Sequence, residues 1–176
     1  MSDVAGDRVS RDELETERIG RAIGRALRGG DVLVLEGPLG AGKTRLVRGI
    51  AAGLGIDPSE VSSPTFVLVQ EYGPSGGGLT LAHADAYRLD GPESLDSVGW
   101  DEFAGHGDVV TILEWGSRIA AALPPTTVWI EIEPSGHDPR SDAPTRERII
   151  RVRTAAGEAS AGAVARVRAA IDAAEA

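Results

Sequence analysis

The sequence contains no cysteine, which removes disulfides, thiolate metal sites and a cysteine nucleophile in one step. Histidine is nearly as scarce. His83, His106 and His137 are the three present, and they lack the short spacing of a zinc site. No stretch approaches the roughly 20 consecutive apolar residues that a membrane-spanning helix requires. The first residues carry several charges and no apolar run, so no secretory signal is expected. Net positive charge is also missing: 18 basic residues stand against 27 acidic ones, for a formal charge of -9. Gripping DNA or RNA needs clustered cations to neutralise phosphate, so any contact with nucleic acid is expected through a partner. A cytoplasmic protein follows as the expectation.

The scarcest functional side chain is lysine. Of the 18 basic residues one is lysine, Lys43, and the rest are arginine. That single lysine lies in Gly37-Pro38-Leu39-Gly40-Ala41-Gly42-Lys43-Thr44, which satisfies the Gly-x4-Gly-Lys-Thr pattern of a phosphate-binding loop. The apolar run Val32–Leu35 before it reads as a strand buried on both faces. A helix from Lys43 to about Leu54 follows it. Strand, glycine loop and helix are the context the motif demands.

Each residue type in the loop has a physical reason. Glycines let successive backbone N–H groups turn inward around an anion. The positive end of the following helix, worth about half an elementary charge, faces the same oxygens. A lysine there reaches the β and γ phosphates, and the Thr44 hydroxyl suits magnesium. The expected ligand is therefore a nucleoside triphosphate with Mg2+.

At 176 residues the chain suits one α/β domain and is short for two. Ser10-Arg11-Asp12-Glu13 reads as a capping box with Ser10 as the cap, opening a helix that Gly29-Gly30 ends. Phe66–Tyr72 and Leu79–Ala84 read as strands joined through the glycine-rich 73–78 segment, which predicts an antiparallel hairpin. Glu93–Val98 suggests a short helix. Val109–Leu113 reads as a buried strand, with a helix from about Ser117 to Leu123. Val128–Ile132 and Ile149–Val152 read as the last strands, and Ala161–Ala174 as a terminal helix, frayed or partly disordered. The expected fold is a mixed central sheet with helices on both faces.

A phosphate loop needs a carboxylate for the magnesium shell and a group to place the attacking atom. Asp85 and Glu114 each stand at the C-terminal end of an expected strand, where ligands of open α/β sheets bind. Each also fits an ordinary strand-end surface acid. Ser62-Ser63-Pro64-Thr65 lies where a nucleotide-sensing switch would sit, and equally suits a Ser/Thr-Pro turn. Trp100 and Trp129 read as packing. Trp115 directly follows Glu114 and is placed to shield the site or stack on a ligand. Arg146, Arg148, Arg151 and Arg153 read as the solvent face of a strand, from which one arginine could reach a nucleotide.

Four blocks together resemble the TsaE family, P-loop ATPases required to form threonylcarbamoyladenosine on tRNA. They are Glu36–Thr44; Ser63-Pro64-Thr65-Phe66 on to Glu71-Tyr72; His83-Ala84-Asp85-Ala86-Tyr87-Arg88-Leu89; and Leu113-Glu114-Trp115. The resemblance covers about residues 10–153, which it implies form the ATPase domain, and leaves 154–176 as an alanine-rich tail without a counterpart. It implies that Gly40, Ala41, Gly42, Lys43, Thr44 and Arg45 wrap the phosphates. It further implies that Thr44 and Glu114 contact magnesium, that Asp85 is the second, Walker B-type acid near the metal, and that Thr65 is the switch threonine. Arg146 would lie near the nucleotide, and the segment around Glu13 near the adenine. The implied partners are TsaD and TsaB, with tRNA reached only through them, and ATP hydrolysis would reset that complex.

Other functions remain open on the residues alone. A GTPase switch fits the hairpin and Thr65, yet its guanine-selecting motif needs a lysine beyond Lys43. A small-molecule kinase fits the arginines at 146–153 as a phosphoryl clamp, although no second pocket can be read. A non-catalytic nucleotide-binding scaffold also fits the loop.

Overall fold

In the computed structural model, residues 7–64, 69–74, 76–89, 91, 94–95, 99–136, 146–154 and 161–174 are described. Their strands are β1 (Arg8–Ser10), β2 (Val32–Glu36), β3 (Val69–Tyr72), β4 (Thr80–Asp85), β5 (Val109–Glu114), β6 (Val128–Pro134) and β7 (Arg148–Thr154). They form one sheet in the order β1-β7-β6-β2-β5-β4-β3. The middle four, β6, β2, β5 and β4, run parallel. Antiparallel β3 flanks them on one side and antiparallel β7, with β1, on the other. Parallel strands are covered on both faces and so read as continuous apolar runs; β2 and β5 are of that kind.

The helices divide between the two faces. On one, α1 (Glu13–Ala26), α2 (Lys43–Gly53) and α4 (Ala161–Ala173) bury Ile19, Ile23, Leu46, Ile50, Val164, Val167 and Ile171 against Leu33, Leu35, Ile112 and Ile130. On the other, α3 (Trp100–Phe103) and a 3-10 helix (Gly116–Ala122) cover Val32, Val34, Ala82 and Leu113 with Trp100, Phe103 and Ile119. Helix α4 is tied down by Arg166, whose Nη2 donates to both Asp31 carboxylate oxygens at 2.9 and 2.8 Å.

Helices α1 and α2 meet through glycine. A Cβ at Gly20 or Gly24 would run into the carbonyl oxygen of Leu46 or Ile50, and one at Gly49 or Gly53 into that of Glu17 or Arg21. Backbone therefore lies on backbone along two helical turns. That contact fixes where α2, and the loop at its start, sits on the sheet.

The start of α1 differs from the expectation. Ser10 ends β1, and the cap is Asp12, whose carboxylate accepts from Glu15 N at 2.7 Å. Glu15, in place of Glu13, reaches back, to Arg11 N at 2.8 Å. The sequence holds two overlapping capping patterns, and pairing of Ser10 with Arg148 in β7 commits the first to strand. Buried Ser10 instead shares a 2.7 Å hydrogen bond with Thr16 Oγ1. The helix expected from Ser117 begins at Gly116 and is 3-10. The hairpin pairs Val69 with Ala84 and Tyr72 with Leu81. Residues 66–68, and most of the segment expected as a helix at 93–98, lie outside the described residues.

Candidate nucleotide-binding site

Strands β2, β4, β5 and β6 end at the same edge, and the loop 37–42 crosses it. The loop turns by left-handed backbone at Gly37, Gly40 and Gly42, with φ of 148°, 76° and 106°. At Gly37 a side chain would also strike the Ile132 carbonyl oxygen, so only glycine serves there. Gly42 is the residue from which α2 starts, and no side chain caps it. The first-turn N–H groups of α2 thus face the cleft with a partial positive charge.

Lys43 is buried, with 5% of its surface exposed. Its Nζ donates to the carbonyl oxygens of Gly37 at 2.7 Å and Pro38 at 3.2 Å, and lies 4.1 Å from the centre of the Trp115 ring. Burial lowers its pKa below 10.5, against the opposing pull of Glu114, Glu36 and Asp85. The loop thus holds a costly cation on its own backbone.

Two acids stand opposite. Asp85 and Glu114 are register partners across β4 and β5, and both are buried. Glu114 Oε1 accepts from Thr44 Oγ1 at 3.3 Å and lies 3.0 Å from His83 Nε2. Burial raises the Asp85 carboxyl above 3.8; the backbone N–H of Tyr87, donating at 2.8 Å, works the other way, and the charge of Glu114 adds to the rise. Glu36 is engaged elsewhere, accepting from Ser117 N at 2.7 Å.

Trp115 is the one non-glycine residue among those described with a positive φ, 62°. Its N–H donates to Leu35 O at 3.2 Å, and its ring meets Tyr87 edge-on at 5.5 Å. That turn swings the indole off the strand and over Lys43. Left-handed backbone at a bulky residue costs about 1 kcal/mol or more and persists where the surroundings enforce it.

These parts bound a cleft of about 230 Å3, lined on the loop side by Gly40, Gly42, Lys43, Thr44 and Arg45, and on the other by Ser63, Asp85, Glu114 and Trp115. Ala41 is buried beneath. Two other hollows, of about 390 and 530 Å3, lie between α1 and α2 and beside Trp129, but neither holds a glycine loop or a lysine. Among the described residues no group of three or more His, Asp or Glu could hold an ion. A hard cation at this edge would rely on Thr44, Glu114 or Asp85 and on oxygens brought by its ligand, which suits magnesium on a phosphate.

The remaining candidates separate. Arg45 points to α1, pairing with Glu13 at 2.6 Å and Glu17 at 2.9 Å. Arg146 is exposed and lines an open cleft of about 430 Å3 with Asp12, Glu13, Leu14 and Arg148. Thr65 lies outside the described residues. The four arginines do not share a face. Arg151 and Arg153 pair with Glu133 and Glu131 across β6, whereas Arg148 has the parity of inward-facing Ile150, and its Nε donates to Ala41 O at 2.8 Å. The odd spacing between 148 and 151 is the signal for that split, since side chains alternate along a strand. Sequence reasoning also leaves His83 without a role. Its spacing of two from Asp85 puts both on one face of β4.

The sequence profile of the family described as threonylcarbamoyl adenosine biosynthesis protein TsaE matches residues 10–142. The chain belongs to the TsaE family. It is 46% identical over 124 residues to the tRNA threonylcarbamoyladenosine biosynthesis protein TsaE of Treponema pallidum, covering 70% of this chain and 88% of that one. The TsaE of Bacillus subtilis is 41% identical over 126 residues, covering 72% and 76%. The crystal structure of Bacillus subtilis YdiB superposes with a TM-score of 0.70 at 30% identity, over 95% of each chain. The α/β architecture is thus shared with a solved structure.

Proposed function

We propose that this member of the TsaE family is a magnesium-dependent ATPase subunit of the machinery that makes threonylcarbamoyladenosine on tRNA, hydrolysing ATP to reset a TsaB–TsaD complex. The observation that carries the reading is the contact of Thr44 with Glu114 across the mouth of the cleft, beside a buried lysine whose ammonium donates to its own loop carbonyls. A buried ammonium and a pair of buried acids cost stability, and they make chemical sense together as a seat for phosphate and a cation.

In this reading Lys43 exchanges the carbonyls of Gly37 and Pro38 for phosphate oxygens. The loop N–H groups of residues 40–45 complete the cradle. Thr44 and Glu114, with Asp85 beside them, hold magnesium, which when bound neutralises phosphate charge. Asp85 and Glu114 are also the groups available to orient an attacking water. Thr65 serves as the switch, and Arg146 and Trp115 bound the nucleotide. Adenine is favoured over guanine because the one lysine is spent in the loop. The protein works in the cytoplasm and meets tRNA only through its partners. Among the described residues no helix is long and apolar enough to cross a membrane.

The test is phosphate release from ATP by the purified chain, alone and with TsaB and TsaD. Turnover should be slow alone and rise with the pair. Glu114→Gln should lower it about 100-fold while ATP affinity stays within a few-fold. Lys43→Ala should weaken ATP binding by roughly 10–100-fold, the worth of charge-assisted hydrogen bonds. Unchanged affinity in Lys43→Ala would remove the reading. Transfer of the phosphoryl group to an added metabolite, with no free phosphate, would replace it with a kinase.

A further inference from the structure

His83 is the one fully buried histidine among the described residues, with 0% exposure. It sits in the middle of β4, opposite Ile112 of β5 and next but one to Leu81 and Asp85 on the α2 face. An aliphatic side chain would fill this place at no polar cost, whereas an imidazole must find a partner. It has one. Nε2 lies 3.0 Å from Glu114 Oε1, and Nδ1 has no hydrogen-bond partner among the described residues. An ionised carboxylate only accepts, so the bond needs its proton on Nε2. The same assignment leaves Nδ1 as a bare acceptor; a proton there would be stranded in the core.

Glu114 Oε1 therefore has two donors, the Thr44 hydroxyl and the His83 ring. They differ in permanence. Thr44 is at the cleft and lines it. His83 is beneath, locked in a strand paired on both sides. On the function proposed above, on which this inference rests, the Thr44 oxygen turns toward a cation and its bond to Glu114 is given up. The His83 bond then remains to hold the carboxylate.

We propose that His83 is a positioning residue for Glu114: its Nε2–H fixes one carboxylate oxygen from below, so that the other is presented to the cation and water in the cleft. His83 touches neither nucleotide nor reacting atoms. Its effect passes through Glu114, as with partners behind metal-binding carboxylates, whose loss costs about 10–100-fold in metal affinity or activity.

The variants are His83→Leu, which keeps bulk and loses the donor, and His83→Gln, whose amide can donate from a similar place. A non-hydrolysable ATP analogue is titrated with and without magnesium, and ATP turnover is measured beside it. In His83→Leu the magnesium requirement should rise by about 10–100-fold and kcat fall by a similar factor, with KM and metal-free affinity unchanged. His83→Gln should recover most of both. A His83→Leu protein within about twofold of wild type in magnesium requirement and kcat, against that expected loss, overturns the proposal. So does a folded His83→Gln no better than His83→Leu.

Nitrogen-15 NMR of the wild-type imidazole tests the bond directly, even where the variants fail to fold. Expected is the Nε2–H tautomer, with a resonance that shifts in Glu114→Ala; an Nδ1–H tautomer overturns the proposal. That spectrum does not depend on nucleotide. A wild type that binds no ATP yet shows the shift would defeat the ATPase reading and leave the His83–Glu114 bond standing.

Discussion

Lys43 and Asp85 are both held in a form that folding disfavours, and the two respond to pH in different windows. Burial depresses Lys43 below 10.5, so the unfolded chain binds that proton more readily, and stability rises with pH through the window just below 10.5. Burial raises Asp85 above 3.8, so the folded chain keeps that proton longer. The resulting stabilisation is full below 3.8 and is lost as pH climbs through the raised value. At neutral pH both charges therefore work against the fold. Asp85→Asn should melt higher than wild type at pH 7, and the gain should vanish below about pH 3.8. Lys43→Met should also melt higher at neutral pH, while binding nucleotide poorly. Scanning calorimetry across pH checks both, and a lower melting temperature for Asp85→Asn at pH 7 would contradict the account. Trp115 offers an optical counterpart. Its ring lies on the Lys43 ammonium, so drawing that charge onto phosphate should change tryptophan emission on ATP addition, and the change should be absent in Trp115→Phe. At this scale the sequence is most informative where chemistry needs a fixed spacing, as in 37–44. It is silent on His83, because the parity that joins it to Asp85 says nothing about Glu114, 31 residues away, until β4 and β5 are known to be neighbours in register.

Elements come next. The buried parallel strands and the loop–helix unit are legible because burial on both faces leaves an unbroken apolar run. The cap of α1 is not, because strand β1 draws its pairing from residues about 140 positions later, and local patterns cannot weigh that. The arginines of β7 divide by parity in the sequence, Arg148 from Arg151 and Arg153, but which set faces inward is settled only in the assembled sheet. The contact of α1 with α2 is present as spacing, Gly20 and Gly24 against Gly49 and Gly53, but its meaning needs both helices in place. Any side chain at these glycines meets a carbonyl. Gly24→Val should therefore force the helices apart, at about 1–3 kcal/mol for overpacking, or roughly 2–12 °C in melting temperature. Because α2 begins at Lys43, the same variant should weaken ATP binding. Loss of stability with ATP affinity unaltered would show that the loop is insulated from this contact.

For the whole molecule, α4 lies in the main core with Val164, Val167 and Ile171 buried. Removing residues 161–176 would uncover those contacts and free Asp31 from Arg166. At about 1.5–3 kcal/mol per buried aliphatic side chain, less the entropy returned to the released helix, the truncated protein should melt well below the full chain. Calorimetry of the two forms decides it, and equal melting temperatures would make α4 dispensable. The first and last elements also close on each other, β1 on β7 and α1 on α4. After the segment 8–26 a ribosome must deliver some 120 further residues before β7 and α4 exist, although α2, the other partner of α1, follows closely. Emerging at about 5–20 residues per second, β1 waits several seconds for its strand partner while α1 has α2 but not α4 against it. Completion of the sheet thus awaits β7, and a nascent form stalled before it would be the species most in need of a chaperone.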